Sequence, residues 1–580
     1  MPTINLSKSF ETAVFQGFGE IDRKMTGKGG VSVVDLKNLR VNGNGTLTKR
    51  SGFAPLCELP EGKLRAICAV SEKTVFALID SSLYEIDTER ATCTLKAALT
   101  NSDTDACFFN YANVLHLIDG TEIYAYDGTD FKLAEGYVPL YGKEWDPSGT
   151  GEILEPMNAL SSRLRISFKV GTTSPTRLTF PHLVASIDHV VLNGKSDSLS
   201  YYTLHDRIAI YLELSKTYSK GDVIEVFYTP NISSLRAERN KIVECTHADV
   251  FGSGTLGGNP ATLALYGGSD PHRVFVSRGV SADSFNEVRS VYPSLTPMYF
   301  TTDSAVSVNR NDPPVCASCK SGSQLAIFTE STAYVMNENT SELRSCLKPI
   351  SHTSGCAIKD GAITLENAPV TLSKNGILHW TPSTLVDDEY TAECISLPIS
   401  ELIDTRQADG CVAFYSSKNE LWFYRAIDGR VWIYNTLLKC WYSFVGLAPE
   451  RMLEIGGQMA FVSQSTLYAF DDSLFYDEPK GEIRSIEASL ESDLISFGAP
   501  NRKKRLARAM LSFTSESELL LSVTDAESNT VESPIMITGA ESIDYFETRL
   551  PCKRSRYYSF TLSQSDGPFC LYALALAAVK

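Results

Sequence analysis

The sequence predicts an all-β fold, built around a β-propeller of about six or seven blades. Three observations predict it: short apolar strands joined by tight turns recur along the chain, the recurrences are regularly spaced, and long amphipathic helical patterns are hard to find. Because a propeller blade buries its faces only against neighbouring blades, a repeated hairpin favours a closed ring. A pair of β-sandwiches with similar hairpins is the alternative fold.

The clearest copy of the hairpin is Leu421 to Asn435, which reads LWFYRAIDGRVWIYN. Aromatic and β-branched residues favour strands, and Asp428-Gly429 supplies the positive-φ turn between two of them. The alternating Trp422, Tyr424, Trp432 and Tyr434 indicate packing between blades. If they formed an exposed aromatic shelf, they would instead suit a sugar.

Copies of this hairpin start near residues 75, 114, 274, 325, 377, 421 and 459, and the copies near 274 and 377 are weaker. Most intervals are close to the ~40–50 residues of a four-stranded blade. The long interval after the second copy predicts an insertion at 145–242. Its strand-like segments suffice for a small β-sandwich or barrel; they are 164–170, 184–192, 208–214 and 223–228.

The two ends of the chain depart from the blade period. Residues 39–52 read as a hairpin with a glycine-rich tip, and beyond Asp472 the period stops and a separate carboxy-terminal β layer is expected. The predicted organisation has five parts: a hairpin and extended segment joining the propeller at 1–55, blades at 56–144, the inserted platform-like domain at 145–242, further blades at 243–475, and a carboxy-terminal β domain at 476–580.

Composition narrows the classes of function. The formal net charge of −16 argues against a surface built throughout to grip nucleic acid, although it suits a wall past which a polyanion slides. No apolar run is long enough to span a bilayer, and the start of the chain lacks the apolar core of a secretion signal, so no stable membrane insertion is expected. The fourteen scattered cysteines favour reduced thiols.

Two motifs resemble ligand sites in spacing alone. Gly252 to Gly257 fits G-x-G-x-x-G, but Asn259-Pro260 and a strand-like stretch follow where a nucleotide site needs a helix, so a glycine-rich loop is favoured. Cys316 and Cys319 have the spacing of zinc ligands, with Cys346 and Cys356 as possible partners. Inert thiols are favoured, and we assign no metal, cofactor-binding or catalytic residue.

Charged clusters allow further interpretations. Asp387, Asp388 and Glu389 could supply the carboxylates of a glycosidase, although an acidic loop explains them without chemistry. The strong basic clusters are residues 501–505 with Arg508, and residues 553–556. They could meet phosphates, but acidic surfaces of neighbouring subunits are the favoured partner.

Three blocks of the sequence resemble the tail nozzle proteins of short-tailed bacteriophages, also called the tail tubular protein B family. The first runs from Gly29-Gly30-Val31 to the basic-x-Gly motif Arg50-Ser51-Gly52. The second covers 263–285 and 325–334, and the third pairs 496–504 with 556–560. The resemblance covers most of the chain in order.

This resemblance implies a non-enzymatic virion structural protein, assembled in the host cytoplasm. It implies a homo-hexameric nozzle ring below the tail adaptor ring, with tail fibres or other tail proteins as candidate partners and an axial channel for ejection of genomic DNA. It carries over no catalytic residue and no cofactor. Two alternatives remain open: a propeller that binds or hydrolyses glycans, and a phage tail hub or stabilisation ring at another position.

Overall fold

The computed structural model describes residues 9–12, 33–101, 103–204, 210–252, 261–337, 347–383, 389–400, 402–403, 410–427, 429–497, 501–525, 527, 530–550 and 552–579. Within these ranges the chain forms strands throughout, with two α-helices and four short 3-10 helices. The all-β prediction is confirmed.

The amino-terminal segment contributes five strands to three different sheets. They are β1 (Ser9–Thr12), β2 (Val33–Lys37), β3 (Leu39–Val41), β4 (Leu47–Lys49) and β5 (Gly52–Glu58). Strands β3 and β4 form the predicted hairpin, with Arg40 opposite Thr48. The glycines at 29 and 30 of the first resembling block lie outside the described residues.

Blades 1 and 2 are four-stranded antiparallel sheets in simple chain order. Blade 1 consists of β6 (Leu64–Ala69), β7 (Thr74–Ile79), β8 (Ser82–Asp87) and β9 (Thr92–Ala98). Blade 2 consists of β10 (Cys107–Tyr111), β11 (Val114–Ile118), β12 (Ile123–Tyr126) and β13 (Phe131–Leu133).

An insertion follows blade 2 and forms two sheets, with strand orders β14-β15-β21-β17-β18 and β16-β20-β19. Its elements are β14 (Leu140–Trp145), β15 (Leu164–Lys169), β16 (Arg177–Thr179), β17 (Val184–Leu192), β18 (Lys195–Ser196), a 3-10 helix (Leu199–Tyr201), β19 (Tyr202–Thr203), β20 (Tyr211–Leu214) and β21 (Val223–Pro230). A core of its own, including Phe168, Phe180 and Tyr228, lies between the sheets. Helix α1 (Ser233–Val243) then returns to the propeller, where Ile242 packs in the core shared by blades 2 and 3.

Blades 3 to 7 complete the ring. Blade 3 has β22 (His247–Phe251), β23 (Thr262–Tyr266), β24 (Arg273–Val276), helix α2 (Ala282–Arg289) and β25 (Ala305–Ser307). Blade 4 has β26 (Val315–Ser321), β27 (Gln324–Thr329), β28 (Ala333–Met336) and β29 (Leu347–Ser351). Blade 5 has β30 (Ala362–Leu365), β31 (Ala368–Ser373), β32 (Gly376–Pro382) and β33 (Tyr390–Cys394), followed by a 3-10 helix (Leu397–Ile399). Blade 6 has β34 (Gly410–Tyr415), a 3-10 helix (Ser416–Lys418), β35 (Glu420–Arg425), β36 (Arg430–Asn435) and β37 (Cys440–Val445). Blade 7 has β38 (Arg451–Ile455), β39 (Gln458–Ser463) and β40 (Thr466–Asp471).

The ring is closed by a strand from the far end of the sequence. Blade 7 supplies three strands of its own, and β5 pairs antiparallel with β40 as the fourth, with Phe53 opposite Phe470. The first strands of successive blades contact one another all the way round, and β38 of blade 7 contacts β6 of blade 1. The protein is therefore a seven-bladed propeller.

The seven predicted hairpins all lie in blades, one in each. Five of them are the second and third strands of blades 1, 2, 4, 6 and 7. The weaker copies near 274 and 377 are third strands, of blades 3 and 5. They are weak because residues 267–272 form a longer connection in blade 3, and because Pro369 obscures the strand pattern of β31 in blade 5.

The carboxy-terminal part forms two facing sheets, which we call the carboxy-terminal sandwich. Its elements, after β41 (Tyr476–Asp477), a 3-10 helix (Pro479–Gly481) and β42 (Arg484–Ser485), are β43 (Ala488–Ser492), β44 (Lys504–Ser515), β45 (Leu519–Asp525), β46 (Thr530–Ile537), β47 (Ala540–Arg549), β48 (Arg554–Ser555), β49 (Tyr558–Gln564) and β50 (Phe569–Val579). One sheet has the order β3-β4-β50-β44-β47, with β1 and β48 at its margins. The other, β2-β43-β49-β45-β46, continues blade 6 through the pairing of β2 with β37.

The amino-terminal segment thus joins the propeller through β5 in blade 7 and through β2, which pairs with β37 of blade 6, while its hairpin belongs to the sandwich. The reason is that β3 and β4 bury Leu39, Val41 and Leu47 against the sandwich core. Neither α-helix in the described part of the chain has the length and apolar character that crossing a membrane requires.

Candidate functional site

The joint between propeller and sandwich is held by a buried arginine. Arg50, which is 1% exposed, donates to both carboxylate oxygens of Asp477 at 2.7 and 2.6 Å. It also donates to the Asn38 side chain at 2.9 Å and to the Val445 carbonyl at 3.2 Å. One side chain therefore connects the amino-terminal segment, the end of blade 6 and the chain that leaves blade 7.

Gly52 belongs to the same joint. A Cβ atom built on Gly52 would lie 1.8 Å from the carbonyl oxygen of Tyr476, so no larger residue fits without moving the backbone. Arg50 and Gly52 are the basic-x-Gly motif of the resemblance. The motif has a physical role here, since the arginine pins the joint and the glycine admits the neighbouring chain.

A second buried ion pair lies beside the first. Glu420, which is fully buried, faces Arg40 at 2.8 Å and accepts hydrogen bonds from Tyr442 at 2.6 Å and Trp422 at 2.9 Å. Burial opposes the charge on Arg40, but the Glu420 carboxylate outweighs this effect and raises the pKa of the guanidinium. Arg40 and Arg50 both lie over the ring of Phe444, at 5.5 and 5.7 Å from its centroid.

Charged side chains also gather at one mouth of the propeller. The first strands of all blades run in the same direction along the ring axis, so the residues at their starts meet at one end of the central channel. We call this group the mouth cluster; it consists of Lys63, Asp105, His247, Lys359, Asp360 and Arg451. The insertion leaves the ring on this same face, because it follows the last strand of blade 2.

Ion pairs cross the mouth. Lys359 before blade 5 pairs with Asp105 before blade 2, on the other side of the ring, and Lys63 approaches Asp105 at 3.8 Å. His247 Nε2 lies 2.9 Å from Asp360 Oδ1. Burial opposes ionisation of Asp105, yet the hydrogen bond from Lys359 lowers its pKa below the ordinary value. For Asp360 likewise, burial opposes ionisation and His247 lowers the pKa.

Asp249 lies two residues further along β22 and behaves differently. Its carboxyl is hydrogen-bonded to Ser318 of blade 4, whose hydroxyl lies 3.1 Å from the hydroxyl of Tyr266. Burial raises the pKa of Asp249 to about 7, and the nearby charge of Asp360 adds to the effect. The mouth therefore holds one carboxyl that titrates near neutral pH beside two that stay ionised.

This arrangement ties opposite blades together and fills the opening with compensating charges. A ligand entering the channel would compete with the Asp105 to Lys359 pair. Among the described residues, no group of three histidine, cysteine or acidic side chains is placed to hold a metal ion.

The two basic clusters meet in the sandwich. Strand β48 pairs with the start of β44, so that Arg554 lies directly opposite Arg505 and Ser555 opposite Lys504. The hydroxyl of Tyr558 fixes both segments, since it donates to the Lys504 carbonyl at 2.7 Å and accepts from the Ser555 N–H at 3.0 Å. Residues some fifty positions apart thereby form one positively charged surface.

The zinc-like cysteines lie near one another, but among the described residues they do not form a group placed to hold a metal ion. The register of β26 shifts between Val315 and Ala317, so Cys316 and Cys319 both pack against the core that contains Cys356. Cys316 Sγ contacts the carbonyl of Cys356 at 3.1 Å, and burial raises the pKa of Cys319 well above its ordinary value. Cys346 lies outside the described residues. The geometry is that of packed thiols.

The other predicted candidates are placed as follows. Of the G-x-G-x-x-G motif only Gly252 is described, at the end of β22, and residues 253–257 lie outside the described part. Asp387 and Asp388 also lie outside it, while Glu389 sits beside β33 at the face opposite the mouth. Trp422 and Trp432 are at most 1% exposed, which confirms that they pack within the propeller rather than form a sugar shelf.

Sequence reasoning missed the mouth cluster and the two buried ion pairs. The mouth residues share one signal, since each lies at or just before the first strand of a blade. That signal can be recognised only after the first strand of every blade has been identified. No sequence pattern identifies Glu420 or Asp477 as a member of an ion pair, because their partners are hundreds of residues away.

No family model matches the chain, and no curated protein matches it in sequence. Among solved structures, a chain of the mitotic checkpoint complex is similar at 9% identity, with a TM-score of 0.35, over 73% of this chain and 93% of that one. The CNH domain of AfRom2 has 7% identity and a TM-score of 0.35, over 72% of this chain and 99% of its own. The β-propeller domain of Cps50 (Swd1) from Myceliophteria thermophila has 8% identity and a TM-score of 0.28, over the same shares. Similarity this low says nothing of function, and the propeller is established by the seven sheets themselves.

Proposed function

We propose that this chain is a virion structural protein, the tail nozzle subunit of a short-tailed bacteriophage, which forms a ring around the path of the ejected DNA. The observation that carries the proposal is the joint at Arg50 and Gly52. The basic-x-Gly motif of the resemblance is the part of the amino-terminal segment that fastens propeller to sandwich.

The first and third resembling blocks support the proposal in a second way. Although they lie at opposite ends of the sequence, β2 of the first block shares a sheet with β49, which begins in the third block, and β43 lies between these two strands. Strand β4 shares the other sheet with β44, which begins at Lys504, the end of the third block. The two blocks therefore contribute to the same two sheets. A subunit that withstands DNA passage benefits from such stitching, because its domains cannot separate without breaking several sheets.

The charges agree with a conduit. A net charge of −16 repels duplex DNA, which keeps a sliding polyanion from sticking to the wall. Because an ion pair crosses the mouth of the propeller, the duplex would pass through the opening of a ring of subunits and not through a propeller. The insertion, which projects from the mouth face, is available for contacts with other tail proteins.

Imaging the purified chain alone and with the tail adaptor of the same virion tests the proposal. We expect rings with six-fold symmetry that bind the adaptor at one end, and matching density below the adaptor in a virion map. A chain that stays monomeric at high concentration and does not bind the adaptor would contradict the proposal. Density at another position in the tail would reassign the protein to a hub or stabilisation ring.

A further inference from the structure

The carboxy-terminal sandwich carries opposite charges at its two ends. Strand β44 runs its full length, which for twelve residues is roughly 40 Å. At its start lies a surface we call the basic pole, formed by the exposed residues Arg502, Lys503, Arg505, Lys553, Arg554 and Arg556. At its end lies a surface we call the acidic pole, formed by the exposed residues Glu516, Glu518, Glu541 and Asp566.

Strand directions place these residues at the two ends. Strand β44 leads into Glu516 and Glu518, and the chain returns along β45 to Glu527 at the basic pole. Strand β47 begins at Ala540, opposite Ser515, and ends at Arg549, opposite Arg508. Likewise β49 runs towards Asp566, and Gly567 lies against Glu516. The separation of the two charged surfaces therefore follows from the strand directions in the sandwich and not from side-chain rotamers.

The fold holds the side chains of the basic pole close together although their like charges repel one another. Arg505 and Arg554 are directly opposite one another on adjacent strands, where like charges are destabilising. The carboxylate of Glu527 lies 3.0 Å from Lys503 and 3.5 Å from Arg556. Within the described chain, neither Arg505 nor Arg554 has a carboxylate partner, and the same holds for Arg502. A fold that holds these guanidinium groups together is suited to an anionic surface from outside.

The acidic pole has only the buried Lys49 near it as a positive charge, and its backbone holds it in place. The Ser517 hydroxyl donates to the Asp566 carbonyl at 2.6 Å, and the Gly567 N–H donates to the Asp566 carboxylate at 3.0 Å. None of the four acidic residues forms an ion pair with any residue the structure describes. Beneath them Lys49 is bound to Gln564 at 2.8 Å, and burial lowers its pKa to about 8.

An open edge connects the two poles. Strand β47 is the last strand of its sheet over most of its length, and Ile543 and Tyr545 on its outer face are 64% and 61% exposed. Native proteins normally protect such edges, and an edge with exposed apolar side chains is a site for contact with another chain.

We infer that the basic pole of one copy docks on the acidic pole of a second copy of this chain, in a head-to-tail contact flanked by the β47 edge. A heterologous contact of this kind closes into a ring or grows as a filament. A second copy is favoured over nucleic acid because a polyanion would approach a chain of net charge −16, whereas a second copy offers a complementary surface. The inference rests on the proposed function only in that a nozzle ring is the assembly the contact would close.

Charge reversal and exchange test the contact on the full-length protein. The variant R505E/R554E places two carboxylates in the basic pole, and the variant E516K/E518K places two ammonium groups in the acidic pole, so each variant cancels most of the charge of one pole. Each alone should weaken self-association at least a hundredfold, measured by sedimentation velocity over a concentration series. An equimolar mixture should restore it to within tenfold of the wild type, because the unchanged pole of each variant matches that of the other and the new glutamates can face the new lysines. The matched control K195E/K220E reverses two exposed charges on the insertion and should leave association unchanged.

The outcomes separate this inference from the proposed function. Failure of the mixture to recover, equal association of all variants, or a monomeric wild type would overturn the inference. So would loss of binding to a duplex DNA probe in R505E/R554E without any change in self-association. If reversal unfolds the sandwich, R505Q/R554Q supplies the same test with a smaller expected loss, about tenfold. Six-fold rings insensitive to the poles would leave the nozzle proposal standing, and pole-dependent assembly without adaptor binding would leave only the contact.

Discussion

Replacing Arg50 by methionine is the sharpest test of how this molecule is held together. The change keeps most of the apolar stem and removes the hydrogen bonds to Asp477, Asn38 and Val445. The carboxylate of Asp477, with its side chain only 11% exposed, would stay in place without its partner. Breaking one side of a buried pair typically costs about 3–5 kcal/mol, because the remaining charge is uncompensated.

That loss should appear in the thermal unfolding of the propeller. In a unit of this size 1 kcal/mol shifts the Tm by about 1.5–2 °C, so R50M should lower it by roughly 5–10 °C. Tryptophan fluorescence is a suitable probe, since Trp380, Trp422, Trp432 and Trp441 are buried in blades 5 and 6. Asn38 and Val445, which Arg50 contacts, adjoin blade 6 directly.

Two further variants make the result interpretable. R484M breaks the pair with Glu482, whose side chains are 65% and 72% exposed, and should shift Tm by less than about 2 °C. R50M/D477N removes both buried partners and should be more stable than R50M alone, since no charge is left unpaired. If R50M unfolds within 1 °C of R484M, the joint is not held by this pair and the reasoning fails.

Three other predictions concern single side chains. Gly52→Ala should prevent accumulation of folded protein or lower the Tm by more than about 5 °C, because the new methyl group would meet the Tyr476 carbonyl. The control Gly43→Ala, which has nothing within 4 Å of the added Cβ, should behave as wild type. Equal yields and Tm values for the two variants would contradict this prediction. The pKa of Asp249 is raised to about 7 from the usual value of 3.8, so its contribution to stability is full below about pH 4 and is lost as the pH rises through 7. Between pH 5 and 8 the free energy of unfolding should therefore fall by on the order of 3 kcal/mol in the wild type, and Asp249→Asn should flatten the corresponding fall in Tm. An unchanged pH profile of Tm would refute the assignment. Tyr558→Phe should speed amide hydrogen exchange in β44 and β48 by about ten- to a hundredfold. The reason is that loss of a buried hydroxyl that bonds to both segments costs about 1–3 kcal/mol. Removal of the exposed Tyr545 hydroxyl should leave exchange in these strands unchanged.

The part of the fold that sequence predicted is the part made by neighbours in the chain. Each blade hairpin is an apolar pair of strands with a tight turn, so a hairpin such as Leu421 to Asn435 can be recognised from its own sequence without any distant residue. The misses are all non-local. That β5 completes blade 7 depends on its match with β40, and that β3 and β4 join the sandwich depends on the free edge of β50.

The candidate site shows the same division. The two basic clusters were visible as runs of lysine and arginine, but that they form one surface follows from the register of β44 against β48. Asp105 and Lys359 look like ordinary loop residues, and only the ring brings them together. Arg50 was noticed in a motif, yet its burial and its partner Asp477 could not be read from a pattern.

The closure of the propeller by β5 has a consequence for how the chain is made. Phe53 leaves the ribosome early, and its partner Phe470 follows only after all the other blades have been synthesised. Until then blade 1 has no finished neighbour on one side, and the strand edges of the nascent ring stay open. The pairing of β2 with β43 and of β4 with β50 extends the wait further still. A chain interrupted before β40 therefore lacks the strand that pairs with β5, and a chain interrupted before the sandwich lacks the two poles that we propose as a subunit contact. Under that proposal, the order of translation alone keeps incomplete products out of an assembly.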